Sequence, residues 1–344
     1  MKVGIIGLGD GGRCNLKSLL LLRVVELLVY DRDAKAWEAI RADMPANVHN
    51  CADFEDLLRS DVDLVIVATP DGDHLEATKT ALEHGKRVFI EKPVATSLTD
   101  IDEIEALAKR YPNRMLFSEK YSYAYPIRAA LHHRPNLGEF LCGSTLYTMW
   151  KCDRIMGGGK WRTESAYNPC AGGLSHNFMT ALLFSGAPIV RVRAMGQVLT
   201  YHELVEHGGY DTMEGTIEFA NGRVMSWMVC LAVKGEDSPY GHRTIAHTWQ
   251  FENGSLIYGP NPEHDQLIVN GKRIKFIPEH RAETWGEYNI ELLYLGMHAE
   301  IRHSIETGNP ARHRIEQGID VARACALAFE SAKRDGEWID IRNG

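Results

Sequence analysis

Closely spaced cysteines are missing from this sequence. The seven it has stand at positions 14, 51, 142, 152, 170, 230 and 325, with no C-x-x-C pair. That spacing excludes a cysteine-rich metal centre or disulfide framework, and reduced core or surface thiols are expected. Missing too is any apolar run near the roughly 18 residues of a membrane span. The opening MKVGIIGLGD carries one lysine, a short apolar run and then glycines, which no signal peptide resembles. A cytoplasmic protein that does not contact membrane is the expectation. Positive charge is also scarce. Lysine and arginine total 38 against 46 acidic residues, the formal net charge is -8, and no basic stripe marks a nucleic-acid binder. The adjacent His132 and His133 point apart on a helix, and no metal site is expected. No tandem repeat or low-complexity tract is visible.

What is present is ordinary globular composition, 44% hydrophobic and 24% charged over 344 residues, enough for two domains. Up to about residue 118, short apolar runs alternate with amphipathic stretches. The runs are VGII (3–6), VVELLVY (24–30), LVIVAT (64–69), RVFI (87–90) and RMLFS (114–118). Apolar strands separated by helices mean a parallel sheet buried on both faces, so residues 1–120 form a doubly wound α/β domain. After Tyr121 the pattern changes. Three Asn-Gly pairs, at 221–222, 253–254 and 270–271, each sit between strand-like runs. Asn-Gly supplies the positive φ angles of a two-residue hairpin, which points to an α+β domain with an antiparallel or mixed sheet over 121–344. Helical patterns from Leu292 to Thr307 and from Ile315 to Lys333 close the chain.

The stretch GIIGLGDGG places Gly7-x-Gly9-x-x-Gly12 after the first strand and at the opening of a helix. The first glycine makes the tight turn, the second admits a pyrophosphate, and the third lets helix and strand pack closely. The helix N-terminus then faces the phosphate charge. Leu8, Asp10 and Gly11 complete this loop. The second strand ends at Asp31, where a carboxylate can hold both ribose hydroxyls of NAD and repel the 2′-phosphate of NADP. Arg32 beside it can pair with such a phosphate, so NADP is not excluded.

Ligands of open α/β sheets sit beyond the carboxyl ends of the strands. ATPDGDH (68–74) ends the third run and offers Thr69, Pro70 and His74. KRVFIEKPVATS (86–97) ends the fourth with an adjacent carboxylate and ammonium, Glu91 and Lys92, ahead of Pro93. As a surface ion pair these two would contribute little. Their position puts them at the nicotinamide end of a dinucleotide site. Lys120 follows the fifth run and is a further substrate hydrogen-bond donor.

The segments VGIIGLGDGG, VATPDGDH, ALEHGKRVFIEKP, KWR…AGGL and the closing ETGNPARHRIEQGIDVARACALAFESAKRDGEWIDI resemble the glucose–fructose oxidoreductase/inositol dehydrogenase/MocA (Gfo/Idh/MocA) family over nearly the whole chain. The resemblance implies an N-terminal Rossmann domain, then an α+β domain with a large, mainly antiparallel open sheet that often makes the oligomer interface. It implies C-terminal helices packing back on the first domain, a cis bond before Pro93 in some members, and Lys92 at the reacting centre. Trp161 and Arg162 resemble a segment reaching toward the nicotinamide. The expected protein is an NAD(P)-dependent dehydrogenase or reductase of a secondary alcohol or ketone on a sugar, cyclitol or sugar derivative, a homodimer or homotetramer. A lysine near an oxidised nicotinamide feels a like charge that favours its neutral form, so it can take the hydroxyl proton. Glu91 is its orienter or a ribose ligand.

In one region the sequence departs from the family. Many members carry an Asp, then a His four residues on, after a glycine run. Here the segment is CAGGLSHNFMTALLF, with His176 or Asn177 at the first position and Thr180 or Ala181 at the second. Three readings stand. His176, placed at the start of a helix whose dipole opposes its protonation, transfers the proton from a different point. Lys92 works alone or with Tyr121, Tyr123 or Tyr125. Or the chain binds coenzyme in a regulatory or scaffolding role without turnover. Reduction of a non-sugar ketone or imine is a further alternative. Asn177, Thr180, Tyr121 and Trp161 complete the expected substrate contacts.

Overall fold

The structure, a computed structural model, describes residues 1–117, 119–149, 170–232, 243–258, 266–274 and 290–342. The chain divides into two compact units. One is Met1–Lys120 with Ile290–Ile319, the other Tyr121–Asn289 with Asp320–Gly344.

The first unit is built on six strands: β1 (Lys2–Ile6), β2 (Glu26–Tyr30), β3 (Val48–Asn50), β4 (Leu64–Val67), β5 (Arg87–Ile90) and β6 (Met115–Phe117). All pair in parallel, in the order β3-β2-β1-β4-β5-β6. Val3, Ile5, Val65, Ile66, Val88 and Phe89 are fully buried. This is why these strands read as continuous apolar runs rather than alternating ones. Helices α1 (Asp10–Leu21), α2 (Ala34–Glu38), α3 (Phe54–Arg59), α4 (His74–Glu83) and α5 (Leu98–Arg110) make the connections. Side chains of Asp53 and Ser97 accept the Asp56 and Asp100 backbone N–H groups and so start α3 and α5. The strand order reverses at β1 and β4, which opens a crevice at their carboxyl ends.

Among the described residues the second unit holds α6 (Tyr125–His132), α7 (Arg134–Leu137) and α8 (Ala171–Ser185) with nine strands: β7 (Phe140–Met149), β8 (Ile189–Gln197), β9 (Thr212–Phe219), β10 (Val224–Cys230), β11 (Arg243–Phe251), β12 (Gly254–Tyr258), β13 (Gln266–Val269), β14 (Lys272–Ile274) and β15 (Ile339–Asp340). Their order is β14-β13-β12-β11-β7-β10-β9-β8-β15, antiparallel except where β7 meets β10. Helix α8 buries its aromatic residues on this sheet, Phe178 against Trp227 at 5.4 Å and Phe184 against Trp249 at 5.2 Å between ring centres. The chain ends with α9 (Ile290–Thr307), α10 (Ile315–Lys333) and β15.

Each of the three Asn-Gly pairs lies at a hairpin, but only one is the expected turn. Asn270 and Gly271 both have positive φ, 50° and 72°, and link β13 to β14 in two residues. Between β9 and β10 four residues intervene, and only Gly222 is left-handed. Between β11 and β12 the turn is Glu252-Asn253, one residue early, so Gly254 already belongs to β12. A side chain at Gly254 would meet the Ile268 carbonyl oxygen at 2.0 Å. That glycine serves the close approach of the neighbouring strand, not the turn.

Candidate active site

The glycine loop between β1 and α1 is shaped by contacts that no side chain could share. Gly7 has φ +92°, and a Cβ on it would lie 2.4 Å from the Ala68 carbonyl oxygen. A Cβ on Gly12 would lie 1.9 Å from the Gly7 carbonyl oxygen, while one on Gly9 would meet nothing within 4 Å. So Gly7 and Gly12 hold the loop together, and Gly9 keeps open the space a diphosphate would enter. Gly9→Ala is therefore expected to leave the melting temperature unchanged and abolish NADH binding. Gly12→Ala is expected to cost about 1–3 kcal/mol of stability as well. Thermal denaturation beside NADH titration separates the two effects.

The carboxylate of Asp31 braces this loop. It accepts the Leu8 backbone N–H at 2.6 Å and the Asp33 N–H at 2.8 Å, one on each oxygen. Each oxygen keeps a lone pair for a hydroxyl donor. Leu8 itself has its side chain in the core. Arg32 is exposed and pairs with Asp73, in the loop after β4, at 3.2 Å. Thr69 and Pro70 are half-buried at the end of β4.

His74 differs from the expectation that it faces the coenzyme. It is fully buried, with Nδ1 at 2.8 Å from the Pro93 carbonyl oxygen and Nε2 at 3.0 Å from that of Thr69. Both nitrogens are taken up by backbone, so the ring ties the loops after β4 and β5 to each other. A histidine opening a helix beside a ligand crevice gives no sequence signal that distinguishes the two roles.

Glu91 and Lys92 leave the end of β5 in different environments, Glu91 buried and Lys92 half-exposed, and the Lys92–Pro93 bond is cis. The Glu91 carboxylate points inward. Its Oε1 accepts from Asn15 Nδ2 at 2.7 Å and from the Tyr294 hydroxyl at 3.1 Å, and its Oε2 accepts the Lys92 backbone N–H at 3.2 Å. Burial opposes its ionisation, but the charges of Lys120 and Lys92 and the donors Asn15 and Tyr294 together outweigh that. The carboxyl is held below its ordinary value. Gly11 lies directly over this side chain, its Cβ position 3.7 Å from Glu91 Cγ. The lysine-bearing turn and the glycine loop are thus in contact. Lys120 is buried, with Nζ 5.1 Å from the centre of the Tyr294 ring. Burial pushes the nearby Cys14 thiol up, which suits packing rather than nucleophilic attack.

Sequence reasoning missed Asn15, Tyr294 and His298. Asn15 interrupts the buried stripe Gly12, Leu16 and Leu19 of α1, and Tyr294 and His298 interrupt the stripe Leu293, Met297 and Ile301 of α9. Polar groups on an apolar stripe are the signal that could have found them.

The other expected residues belong to the second unit. His176 is buried, edge-on to Tyr121 at 4.3 Å and 6.3 Å from the Tyr147 ring. It lies more than one turn inside α8, which starts at Ala171. The helix-end field expected to oppose its protonation fades within the first turn, so that expectation is corrected. Thr180 is also buried, and its hydroxyl donates to the His176 carbonyl oxygen at 2.9 Å, one turn back, rather than outward. Asn177 is sealed within the same helix. Trp161, Arg162 and the glycine-rich stretch 156–160 lie outside the described residues, as does the side chain of Tyr125. Among the described residues no three His, Cys, Asp or Glu side chains converge as metal ligands would, and no helix is long and apolar enough to cross a membrane.

Comparison with known proteins adds to this geometry. Residues 1–119 match the Gfo/Idh/MocA family, described as an oxidoreductase family with an NAD-binding Rossmann fold. The chain is 35% identical over 159 residues to a glycosyl hydrolase family 109 protein of Streptomyces niveus, covering 43% of this chain and 32% of that protein. It is 24% identical over 310 residues to scyllo-inositol 2-dehydrogenase (NAD(+)) of Bacillus subtilis, covering 85% of this chain and 84% of that one. The chain spans only about a third of the length of the first curated relatives it matches. In fold it is similar to levoglucosan dehydrogenase in complex with NADH and L-sorbose, with TM-score 0.80 and 19% identity over 99% of this chain and 98% of the other. The match to an NAD-binding Rossmann family over residues 1–119 and the likeness of fold over nearly the whole length agree with the geometry of the glycine loop.

Proposed function

We propose that this protein is an NAD-dependent dehydrogenase or reductase acting on a secondary alcohol or ketone of a sugar, cyclitol or sugar derivative. The observation that carries the reading is the contact between two loops: the turn bearing Lys92 packs through Glu91 onto the glycine loop at Gly11. The loop itself fits a dinucleotide, with open space at Gly9 and Asp31 facing the ribose position. Bound NAD supplies the hydride acceptor. Lys92 takes the hydroxyl proton in oxidation and polarises the carbonyl as an ammonium in reduction. His176, wedged against Tyr121, is a second candidate proton-handling group. Lys120 and Tyr121 serve substrate binding. A homodimer or homotetramer through the second sheet accompanies this reading.

NADH fluorescence titration with a screen of polyols, aminosugars and keto-sugars tests it. NADH formation on a cyclitol or sugar supports the proposal, and tight NADH binding with no turnover on any of them overturns it in favour of a regulatory role. A second reading is favoured by the glycosyl hydrolase relative. Release of an aryl alcohol from aryl glycosides without net NADH formation would establish that one instead.

Asp31 sets the coenzyme preference in this reading. Asp31→Ser is expected to raise the NADP-to-NAD ratio of kcat/KM on the order of a hundredfold, by removing the repulsion of a 2′-phosphate beside Arg32. An unchanged ratio would remove Asp31 from coenzyme selection.

A further inference from the structure

A charged group sealed in a protein interior carries a desolvation cost that stability alone does not require, since an apolar residue of similar volume packs there without it. Glu91 is such a group, and its partners come from distant parts of the sequence. Asn15 Nδ2 donates both to Glu91 Oε1 at 2.7 Å and to the Gly11 carbonyl oxygen at 2.8 Å. Both of those are acceptors only, so the amide orientation is fixed and Asn15 Oδ1 must face the remaining neighbour. That neighbour is His298 Nε2 at 2.7 Å. The ring therefore carries its proton on Nε2 and donates it, leaving Nδ1 bare and without a partner among the described residues. Tyr294, one turn earlier on α9, completes the set. Its hydroxyl donates to Glu91 and its ring face lies under Lys120.

The chain of contacts has one direction of consequence. At its outer end it holds the first turn of α1, where the glycine loop becomes helix. It also holds the backbone N–H of Lys92, through Glu91 Oε2 at 3.2 Å. At its inner end it rests on α9, a helix almost three hundred residues away from the glycine loop. We infer that Asn15, Tyr294 and His298 are positioning residues of the coenzyme site, by which α9 fixes Glu91 and so aligns the glycine loop with the Lys92 turn. This rests on the reading of the loop as an NAD site. Neither Tyr294 nor His298 is exposed to meet a ligand.

The test uses the whole protein and reads NADH affinity by fluorescence beside the melting temperature. Tyr294→Phe removes a single oxygen, and His298→Leu removes the donor to Asn15. Each is expected to weaken NADH binding about tenfold, the size of one lost hydrogen bond. His298→Gln, which can donate to Asn15 in place of the imidazole, is expected to restore most of that loss. In a Glu91→Leu background Tyr294→Phe is expected to add nothing further, because the acceptor of its hydroxyl is already gone. Variants that melt lower yet bind NADH as the parent does overturn the inference, as does additivity in the double variant. If His298→Leu fails to fold, Tyr294→Phe alone decides. Absence of NADH binding by the parent protein brings down the coenzyme reading itself, and the inference falls with it.

Discussion

Replacing Lys92 by Met is expected to cut turnover about a thousandfold, within the range usual for loss of a general acid or base, while NADH still binds. Met keeps the length and apolar stem of lysine and loses only the ammonium. Because Lys92 is half-exposed, no buried charge is left uncompensated by its removal. The contact that fixes its backbone, its N–H to Glu91 Oε2 at 3.2 Å, is a main-chain interaction and survives any side-chain replacement. Glu91 loses one of the charges that hold it ionised, but Lys120, Asn15 and Tyr294 remain. The loss should therefore appear in kcat rather than in coenzyme affinity or melting temperature. Lys92→Arg discriminates between two roles. Arginine supplies positive charge but does not give up its proton in proteins. If Lys92 acts by accepting the hydroxyl proton, the Arg variant is as inactive in alcohol oxidation as the Met variant. If it acts only by charge, the Arg variant recovers. Turnover by Lys92→Met within a few-fold of the parent would take this residue out of the mechanism.

How far the sequence revealed this site depends on whether a residue's role is local. The placement of the loop from Gly7 to Gly12, of Asp31 and of the Glu91-Lys92 turn could be read because each follows its own strand, and strand ends in a parallel sheet converge by topology alone. The apolar continuity of β1, β4 and β5 and the hairpins of the second sheet were legible for the same reason. Turn details were not. Asn253-Gly254 looks like Asn270-Gly271 in sequence, and only the approach of Ile268 to Gly254 explains why the chain turns one residue sooner. His74 and Thr180 misled because their polar atoms are taken up by nearby carbonyls, competition of a kind that side-chain spacing does not report. Asn15, Tyr294 and His298 stayed hidden because their meaning lies in a contact spanning 283 residues between Asn15 and His298. Each alone is one polar residue on an apolar stripe, and three such interruptions acquire a joint role only when α1 and α9 are side by side.

The same burial makes acid the expected route to unfolding. His298 is pushed down to about 4 by burial, which outweighs the opposing pull of Glu91. His247, stacked on Trp249, is pushed down to about 3 by burial alone. His313, edge-on to Phe117, is pushed down to about 3 by burial with a further push from Arg312. In the unfolded chain each titrates near 6.5. Between pH 6.5 and about 4 the unfolded chain therefore binds up to three protons that the folded one does not, so stability rises with pH across that window. Above 6.5 the contribution is fully present. Below it, stability falls by up to about 4 kcal/mol per pH unit, counting roughly 1.4 for each histidine. Glu91, whose carboxyl is held low, adds to the loss only below its ordinary value of 4.5. His298 and His313 belong to the first unit and His247 to the second. If calorimetry resolves two transitions, the one belonging to the coenzyme unit should move about twice as steeply with pH. His298→Gln should make that transition shallower by one proton. A melting temperature that stays constant from pH 7 down to pH 5 would show that these rings are not held neutral in the folded protein.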